Sequence, residues 1–102
     1  MFSFLKNLFG PGTDFIALKE AGAIIIDVRS SQEFDRGHIQ GSKNIPVNII
    51  QREINAIKKL NKPIITVCQS GARSGMAKSA LKAAGVEVYN GGSWFGLRNK
   101  LS

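Results

Sequence analysis

The chain has 102 residues, of which 14 are Lys or Arg and 7 are Asp or Glu, so its formal net charge is +7. Hydrophobic residues make up 43% of it, which predicts one small folded domain and excludes a fibrous repeat or a disordered chain. Cys68 and His38 are the only residues of their types, which excludes an internal disulfide bond and any zinc site that needs three or four Cys or His ligands from this chain.

The first ten residues, MFSFLKNLFG, are mostly apolar, and the last of them begins the run Gly10-Pro11-Gly12. They are too few to span a bilayer, which takes about 18 apolar residues, and they lack the small-residue cleavage site of a secretory signal. We expect residues 1–12 to form an apolar N-terminal segment that packs on a domain at residues 13–102, rather than an anchor at a membrane surface. We also expect a cytoplasmic location, where a lone thiol stays reduced.

The residue pattern in the first half of the domain predicts a helix and two strands. Thr13 is a suitable N-cap for a short helix that runs to about Glu20. The run Ala-Ile-Ile-Ile at residues 23–26 is typical of a strand buried on both faces, and it leads into Asp27. We expect a polar turn next, and then a second, very short strand at residues 44–46, Asn-Ile-Pro.

The second half continues the alternation. Apolar residues recur at spacings of three and four over residues 47–60, which predicts an amphipathic helix that ends before a proline. The remaining elements are expected in the order strand, helix, strand and short tail, at residues 64–67, 72–84 and 86–89 and around Trp94. This alternation of strands and helices predicts an α/β domain with a parallel sheet covered on both faces.

A single cysteine follows the second buried strand, at the edge where ligands of parallel sheets bind. From Cys68 the chain reads Cys-Gln-Ser-Gly-Ala-Arg-Ser and runs into a helix. The small residues let successive N–H groups point inward as an anion-binding nest, the helix N-terminus adds partial positive charge, and Arg73 adds a cation. All three favour the thiolate, which is the nucleophilic form. A buried, inert cysteine is the alternative, but it has no need of such a loop.

The positive charge is concentrated in the half of the chain that contains Cys68. Residues 1–51 hold five basic and five acidic side chains, whereas residues 52–102 hold nine basic and two acidic ones. Lysines on solvated helix faces account for much of this excess, yet together they attract anions. We do not expect nucleic acid as a partner, because no helix-turn-helix pattern, RNA-binding signature or aromatic-interleaved basic stripe accompanies the charge.

Five short motifs in a fixed order resemble those of a known family. They are Asp27-Val28-Arg29 with Glu33-Phe34, Gly37-His38-Ile39, Asn44-Ile45-Pro46, the loop from Cys68 to Ser74, and Tyr89-Asn90-Gly91-Gly92 before Trp94. From Thr13 to Leu97 the chain resembles a single-domain rhodanese, a sulfurtransferase. The resemblance implies a three-layer α/β fold whose central parallel sheet of four to five strands has helices on both faces. The family's first strand is absent or minimal here, where Gly10-Pro11-Gly12 stands.

The resemblance also implies roles for individual residues. Cys68 is implied as the catalytic residue, which takes a sulfur atom from a donor, holds it as a persulfide and passes it to a second nucleophile. The residues implied to bind substrate and persulfide are those of the loop, Gln69, Ser70, Gly71, Ala72, Arg73 and Ser74. Asp27, Arg29 and Glu33 are implied to form a structural ion-pair group beside it. His38 is implied to be structural, so a protease-like Cys-His pair is not expected, and no metal or cofactor is implied.

The donor implied first is thiosulfate, because Arg73 and the local charge suit a dianion. A persulfide carried by a protein or by a small thiol suits them nearly as well, and the expected acceptor is a thiol or cyanide.

Two other classes of protein stay open. Phosphatases and arsenate reductases of the same fold have a Cys-x5-Arg loop, whereas the spacing from Cys68 to Arg73 is Cys-x4-Arg. One residue fewer makes a tighter cradle, and the loop holds no acid to protonate a leaving group. The other class is a non-catalytic module that binds a partner, and such modules usually lose the cysteine that this chain keeps.

Overall fold

Strands and helices alternate along residues 12–102, the part of the chain that the computed structural model describes. In chain order the elements are α1 (Phe15–Glu20), β1 (Ile24–Asp27), α2 (Ser31–Arg36), β2 (Lys43–Asn44), a 3-10 turn (Val47–Ile49), α3 (Ile50–Lys59), β3 (Ile64–Cys68), α4 (Ala72–Ala83), β4 (Val88–Ser93) and α5 (Trp94–Leu101). This order confirms the predicted α/β class.

The strands of the described residues form one parallel, four-stranded sheet in the order β2-β1-β3-β4. β1 and β3 lie in its centre and pair in register, from Ile24 opposite Ile64 to Asp27 opposite Val67. Every residue of β3 is buried, as the β-branched run predicts for a parallel strand covered on both faces. The family's first strand is predicted to be absent or minimal at residues 10–12. Residues 10 and 11 lie outside the described residues, so this stays a prediction.

Helices cover both faces of the sheet and make three layers. On one face, α3 and α4 pack Ile57 and Leu81 against the even-numbered positions of β1 and β3. On the other face, α1 and α5 pack Phe15 and Leu97 against the odd-numbered positions. The division follows from the two-residue period of a strand. Because Cys68 stands at an even-numbered position, its side chain joins the cluster with α3 and α4.

β4 has one residue more than the stretch of β3 with which it pairs. Thr66 lies opposite Asn90 and Cys68 lies opposite Ser93, so three steps along β4 match two steps along β3. The extra residue makes a β-bulge at residues 91–92, a device that bends a strand and often stands beside functional sites.

Glycine is required at both positions of the bulge. A Cβ atom on Gly91 would lie 2.9 Å from methyl carbons of both Ile65 and Val67, closer than packed carbon atoms approach. Gly92 has a φ of 78°, in the left-handed region that residues with a Cβ rarely adopt. The Gly-Gly pair therefore lets β4 pack tightly on β3 and change direction beside Cys68.

The prediction was wrong at the start of α1 and at the turn after β1. Asp14, rather than Thr13, caps α1, because its side chain accepts a hydrogen bond from the N–H of Ala17. Where the sequence predicts only a polar turn, α2 forms. Ser30 and Glu33 make a capping box at its start, a pattern that satisfies two backbone N–H groups and can begin a short helix.

In the middle of the chain, the bounds of the elements differ slightly from the predicted ones. β2 comprises Lys43–Asn44 and so begins one residue before the predicted strand. Pro46 lies outside β2, at the N-cap of the 3-10 turn. The predicted helix over residues 47–60 therefore begins as this turn and continues as α3.

The C-terminal elements differ most from the prediction. β4 begins at Val88 instead of residue 86 and continues through the bulge to Ser93. The predicted short tail is an eight-residue helix, α5. Ser93 caps it by accepting a hydrogen bond from the N–H of Gly96, and Leu97 is buried against the sheet. Because only one residue of α5 is buried, the helix has a weak pattern of apolar spacing, and the sequence therefore does not predict it.

No helix within residues 12–102 is long and apolar enough to cross a membrane. The predicted N-terminal segment, residues 1–12, lies outside the described residues except for its last residue, so its packing on the domain stays a prediction.

Leu81 and Met76 lie on the same helix, α4, but Leu81 is fully buried whereas Met76 is 64% exposed. Replacing Leu81 by Ala should lower the free energy of unfolding by about 2–5 kcal/mol, because it removes buried methyl groups and leaves a cavity. Met76→Ala is the matched control and should change this free energy by less than about 0.5 kcal/mol. Urea denaturation followed by the fluorescence of Trp94 measures both, and equal losses would contradict the described packing of α4.

Candidate active site

Cys68 ends β3 and is only 1% exposed, and the loop after it leads into α4. The loop turns at Gly71, whose φ of 103° lies in the left-handed region that favours glycine. As a result, the N–H of Gly71 donates a hydrogen bond to Cys68 Sγ over 3.0 Å. α4 begins at the next residue, so the partial positive charge of its N-terminus lies beside the sulfur and favours an anion there.

Ser74, in the first turn of α4, is the second polar neighbour of the sulfur. Its Oγ lies 3.4 Å from Cys68 Sγ, and the residue is fully buried. Thr66 Oγ1 donates a hydrogen bond to the carbonyl oxygen of Ser74 over 2.9 Å, which ties this turn to β3. Three other residues of the loop are exposed, namely Gln69, Ser70 and Ala72.

Two opposing effects act on the thiol of Cys68. Burial raises its pKa, because the charged form loses contact with water. Hydrogen bonds to the ionised sulfur from the side chain and the backbone of Ser74 and from the backbone of Gly71 and Ser70 lower the pKa. They outweigh burial, so the pKa lies below its ordinary value. A thiol with a lowered pKa is ionised to a greater extent at neutral pH and is a better nucleophile there.

Arg73 directs its guanidinium to Glu33 of α2. Nη1 donates to Oε1 over 2.7 Å and Nη2 donates to Oε2 over 3.0 Å, a two-pronged pairing. Hydrogen bonding from Arg73 is the main reason that the pKa of Glu33 falls to about 2, and the carboxylate in turn raises the pKa of Arg73. The sequence predicts Arg73 as a cation for the substrate, in an unfavourable place in the first turn of a helix. The carboxylate of Glu33 relieves that conflict, and 35% of the Arg73 side chain stays exposed.

Asp27 and Arg29 form a buried ion pair at the end of β1. Nη2 of Arg29 lies 2.7 Å from Oδ2 of Asp27, and Nε lies 2.9 and 3.1 Å from the two carboxylate oxygens. The guanidinium also donates to the carbonyl oxygens of Gly37 and Glu33, so the buried charges are well satisfied. The predicted group of Asp27, Arg29 and Glu33 is thus divided in the structure, because the carboxylate of Glu33 pairs with Arg73.

His38 makes its polar contact within its own segment. Its Nδ1 lies 2.7 Å from the carbonyl oxygen of Phe34, and because a carbonyl only accepts, Nδ1 carries the proton. The imidazole also stacks on the ring of Phe34, with 3.6 Å between centroids. Cys68 contacts Gly71 and Ser74 instead, so the structure shows no Cys-His pair among the described residues.

Asn90, which the sequence does not single out as a site residue, joins β4 to the loop. Its Oδ1 accepts hydrogen bonds from Ser74 Oγ over 2.7 Å and from the N–H of Gly92 over 2.9 Å. Its Nδ2 donates to the carbonyl oxygen of Gly71 over 3.2 Å. The signal that could have found Asn90 is its place near the carboxyl end of a parallel strand, at the same edge of the sheet as Cys68.

Two open clefts flank the loop. A cleft of about 530 Å³ runs along Ser70 and Gly71, and two lysines line it, Lys78 and Lys100. A cleft of about 300 Å³ on the other side is lined by Gln69, Arg29, Glu33, Arg36, Gly37, Trp94 and Phe95. Both bring cationic side chains close to the loop. Within residues 12–102, no group of three or more His, Cys, Asp or Glu residues could hold a metal ion.

The sequence model of the family described as "Rhodanese-like domain" matches residues 13–96. This match covers most of the chain, from α1 to the first turn of α5, and includes Cys68, its loop and Asn90. The chain belongs to the rhodanese-like domain family. The resemblance of its motifs to rhodaneses and the predicted fold are thereby confirmed.

Individual relatives agree with this assignment. The rhodanese-like chain is 42% identical over 69 residues to the uncharacterised protein YqhL of Bacillus subtilis (strain 168), a match that covers 67% of this chain and 54% of that protein. It is 36% identical over 75 residues to a thiosulfate sulfurtransferase, GlpE, of Stutzerimonas stutzeri (strain A1501), which covers 72% and 68% of the two chains. A solved structure described as a rhodanese with anions from E. coli has a TM-score of 0.66 at 32% identity, covering 72% of this chain and 89% of that one. The chain thus spans little more than half the length of YqhL.

Replacing Glu33 by Gln tests the ion pair between α2 and the loop, because Gln can keep the capping box with Ser30 but carries no charge for Arg73. The pKa of Glu33 is about 2 in the folded protein against an ordinary 4.5. A depressed pKa stabilises the fold above pH 4.5, and this contribution is lost as the pH falls from 4.5 to 2. Thermal melts over that range should therefore show a steeper decline for the unchanged protein than for Glu33→Gln.

The control is Glu53→Gln on α3, which removes a carboxylate whose nearest cation, Arg52, is 4.0 Å away and largely exposed. Its profile should follow that of the unchanged protein. If the stability of Glu33→Gln also fell with pH as that of the unchanged protein does, the pair with Arg73 would contribute nothing to the stability of the fold.

Proposed function

We propose that this protein is a sulfurtransferase that moves a sulfane sulfur from thiosulfate or another persulfide donor to a thiophilic acceptor through a persulfide on Cys68. The observation that carries the proposal is the hydrogen bond from the N–H of Gly71 to Cys68 Sγ at the start of α4. The lowered pKa of the thiol supplies the nucleophile. A relative named a thiosulfate sulfurtransferase, GlpE, supports the class of reaction.

The first half of the reaction loads the sulfur. The Cys68 thiolate attacks the outer sulfur of thiosulfate, a new S–S bond forms, and the S–S bond of thiosulfate breaks so that sulfite leaves with the electron pair. The negative charge then lies on the outer sulfur of the persulfide. Backbone N–H groups of the loop from Gln69 to Ser74 stabilise that charge, as an oxyanion hole stabilises an oxygen.

The second half of the reaction unloads the sulfur. Cyanide or a thiolate attacks the outer sulfur of the persulfide, and the S–S bond to Cys68 breaks. The products are thiocyanate or a new persulfide, together with the regenerated Cys68 thiolate. Because the first product leaves before the acceptor reacts, we expect ping-pong kinetics.

Charge near the loop makes thiosulfate the favoured donor. Arg73 is part of the loop, and Lys78 and Lys100 line the cleft beside it, so a dianion is attracted to this side of the protein. A persulfide on a protein or on a small thiol is the second donor that this charge suits. We also propose a cytoplasmic setting, because reducing conditions keep the lone thiol free.

The length of the loop and the contacts of Cys68 favour sulfur transfer over the other two classes. A phosphatase of this fold has a Cys-x5-Arg loop that surrounds the oxygens of the phosphate, whereas the loop from Cys68 to Arg73 is one residue shorter. A module that only binds a partner has no use for a buried thiol whose pKa is lowered.

Incubation with thiosulfate should add one sulfur atom to the intact protein, and cyanide should remove it as thiocyanate. Cys68→Ser should abolish both steps, because a serine hydroxyl does not ionise near neutral pH and forms no persulfide. Intact-mass spectrometry and a thiocyanate assay measure the two steps. Since Cys68 is the only cysteine in the chain, any added sulfur can be assigned to it.

An unchanged mass after incubation with thiosulfate, small persulfides and a persulfide-bearing protein would refute the proposal. Hydrolysis of an aryl phosphate without sulfur transfer to cyanide would identify a phosphatase instead.

We also propose that the exposed part of Arg73 binds the sulfonate end of thiosulfate. Arg73→Gln should then raise the KM for thiosulfate about tenfold, which corresponds to the loss of one charge-assisted hydrogen bond. Lys82→Gln removes the same charge from an exposed position on the same helix and should change KM less than about twofold. Equal increases in steady-state KM for the two variants would mean that Arg73 acts only through overall charge.

A further inference from the structure

Asn90 and Ser74 form a hydrogen-bonded chain that ends at the sulfur of Cys68, and the positions of its protons can be worked out. The N–H of Gly92 can only donate, so the Asn90 atom that receives it is the oxygen, Oδ1. The carbonyl of Gly71 can only accept, so the Asn90 atom facing it is the nitrogen, Nδ2. Both ends of the amide are therefore assigned by their partners.

This assignment decides where the hydroxyl proton of Ser74 lies. Oδ1 of Asn90 cannot donate, so the hydrogen bond of 2.7 Å between it and Ser74 Oγ must use the Ser74 proton. Ser74 Oγ then presents a lone pair to Cys68 Sγ at 3.4 Å and accepts the proton of the thiol. The arrangement suits a neutral thiol and would repel a thiolate.

Ionisation of Cys68 therefore requires the Ser74 hydroxyl to turn. Only the S–H bond breaks, the thiol proton leaves to water, and rotation about the Cβ–Oγ bond of Ser74 carries the hydroxyl proton from Asn90 to the sulfur. The rotation leaves Oδ1 of Asn90 satisfied, because the N–H of Gly92 still donates to it over 2.9 Å. A buried acceptor without any partner would oppose the rotation, and here that penalty is absent.

We propose that Asn90 is a positioning residue that controls the ionisation of Cys68 through the hydroxyl of Ser74. Asn90 holds the Ser74 proton while the Cys68 sulfur is uncharged and releases it when that sulfur becomes a thiolate. That this control serves catalysis rests on the proposed function. In the persulfide, the inner sulfur is uncharged, so the Ser74 proton returns to Asn90 and the loop N–H groups hold the charged outer sulfur.

The β-bulge explains why an amide at position 90 can act in this way. At the bulge the N–H of Gly92 donates to the side chain of Asn90, and it is this second donor that lets Asn90 release Ser74. Two ion pairs stand on the elements around the thiol, Asp27 of β1 with Arg29, and Glu33 of α2 with Arg73 of α4. The same elements and α3 carry further charged residues, namely Asp35, Arg36, Arg52, Glu53, Lys58, Lys59, Lys78 and Lys82. All of these groups are retained in the variants below.

The test is the effect of Ser74→Ala on the pKa of Cys68, measured with three different residues at position 90. With Asn90 present, loss of the hydroxyl proton should raise the pKa by about one unit. With Asn90→Ala the hydroxyl has no competing acceptor. Ser74→Ala should then raise the pKa of Cys68 by about half a unit more than it does when Asn90 is present. With Asn90→Asp the carboxylate retains the hydroxyl proton, so Ser74→Ala should change the pKa by no more than about a third of a unit.

The comparison isolates the hydroxyl from other effects of position 90. The charge of Asp and the loss of the bond to Gly71 are present with and without Ser74, so they cancel within each pair. The pKa is read from the pH dependence of the rate at which iodoacetamide alkylates Cys68, the single cysteine of the chain. Asn55→Asp adds a charge at an exposed position of α3 and should leave the Ser74→Ala effect unchanged.

A Ser74→Ala effect of the same size with Asn, Ala and Asp at position 90 would overturn the proposal, and so would the absence of any increase with Asn90. Thermal melts establish which variants are folded, and either substitution at position 90 alone suffices for the comparison with Asn90. Alkylation does not involve sulfur transfer. Loss of the coupling can therefore be told apart from a failure of Cys68 to form a persulfide, which intact mass reports on the unchanged protein.

Discussion

Parallel pairing of β1, β3 and β4 is the constraint on which the site depends, because it brings the carboxyl ends of three strands to one edge of the sheet. β1 brings Asp27 to this edge, β3 brings Cys68 and β4 brings Asn90. The one extra residue in β4 ends regular pairing beside the sulfur. Polar groups from separate parts of the chain can then converge on one atom, while the hydrophobic layers on both faces hold the strands in place.

Two ion pairs of different character hold the surroundings of the loop. The pair of Asp27 and Arg29 is buried, and Asn44 supports it by donating to the carbonyl oxygens of both residues over 3.0 and 2.9 Å. Removing one partner of such a buried pair leaves an uncompensated charge and is costly. The pair of Glu33 and Arg73 is partly exposed and joins α2 to the first turn of α4, where water weakens the interaction. The buried pair orders the wall beside the loop, whereas the exposed pair positions the loop's cation.

The sulfur of Cys68 is where burial and hydrogen bonding oppose each other. A buried thiol without donors would have a raised pKa and be inert, and a fully exposed one would have an ordinary pKa. Here the donors to the ionised sulfur are backbone groups of the loop and the hydroxyl of Ser74. The backbone donors are held in place by the left-handed turn at Gly71, whereas the hydroxyl is held by Asn90. Reactivity at this cysteine therefore depends on which way one side-chain proton points, as well as on the shape of the loop.

The α/β class, the two central strands and the cysteine loop can be predicted from the sequence, because β-branched runs, helical spacing and small residues are local patterns. The partners of the charged and polar groups emerge only when the chain is folded. Glu33 and Arg73 are 40 residues apart, and Ser74 and Asn90 are 16 apart. The sequence alone grouped Glu33 with Asp27 and Arg29, and it left Asn90 without a role. Contacts over such separations follow from strand order, register and a one-residue bulge, and the local pattern of residues does not say which distant side chains these bring together.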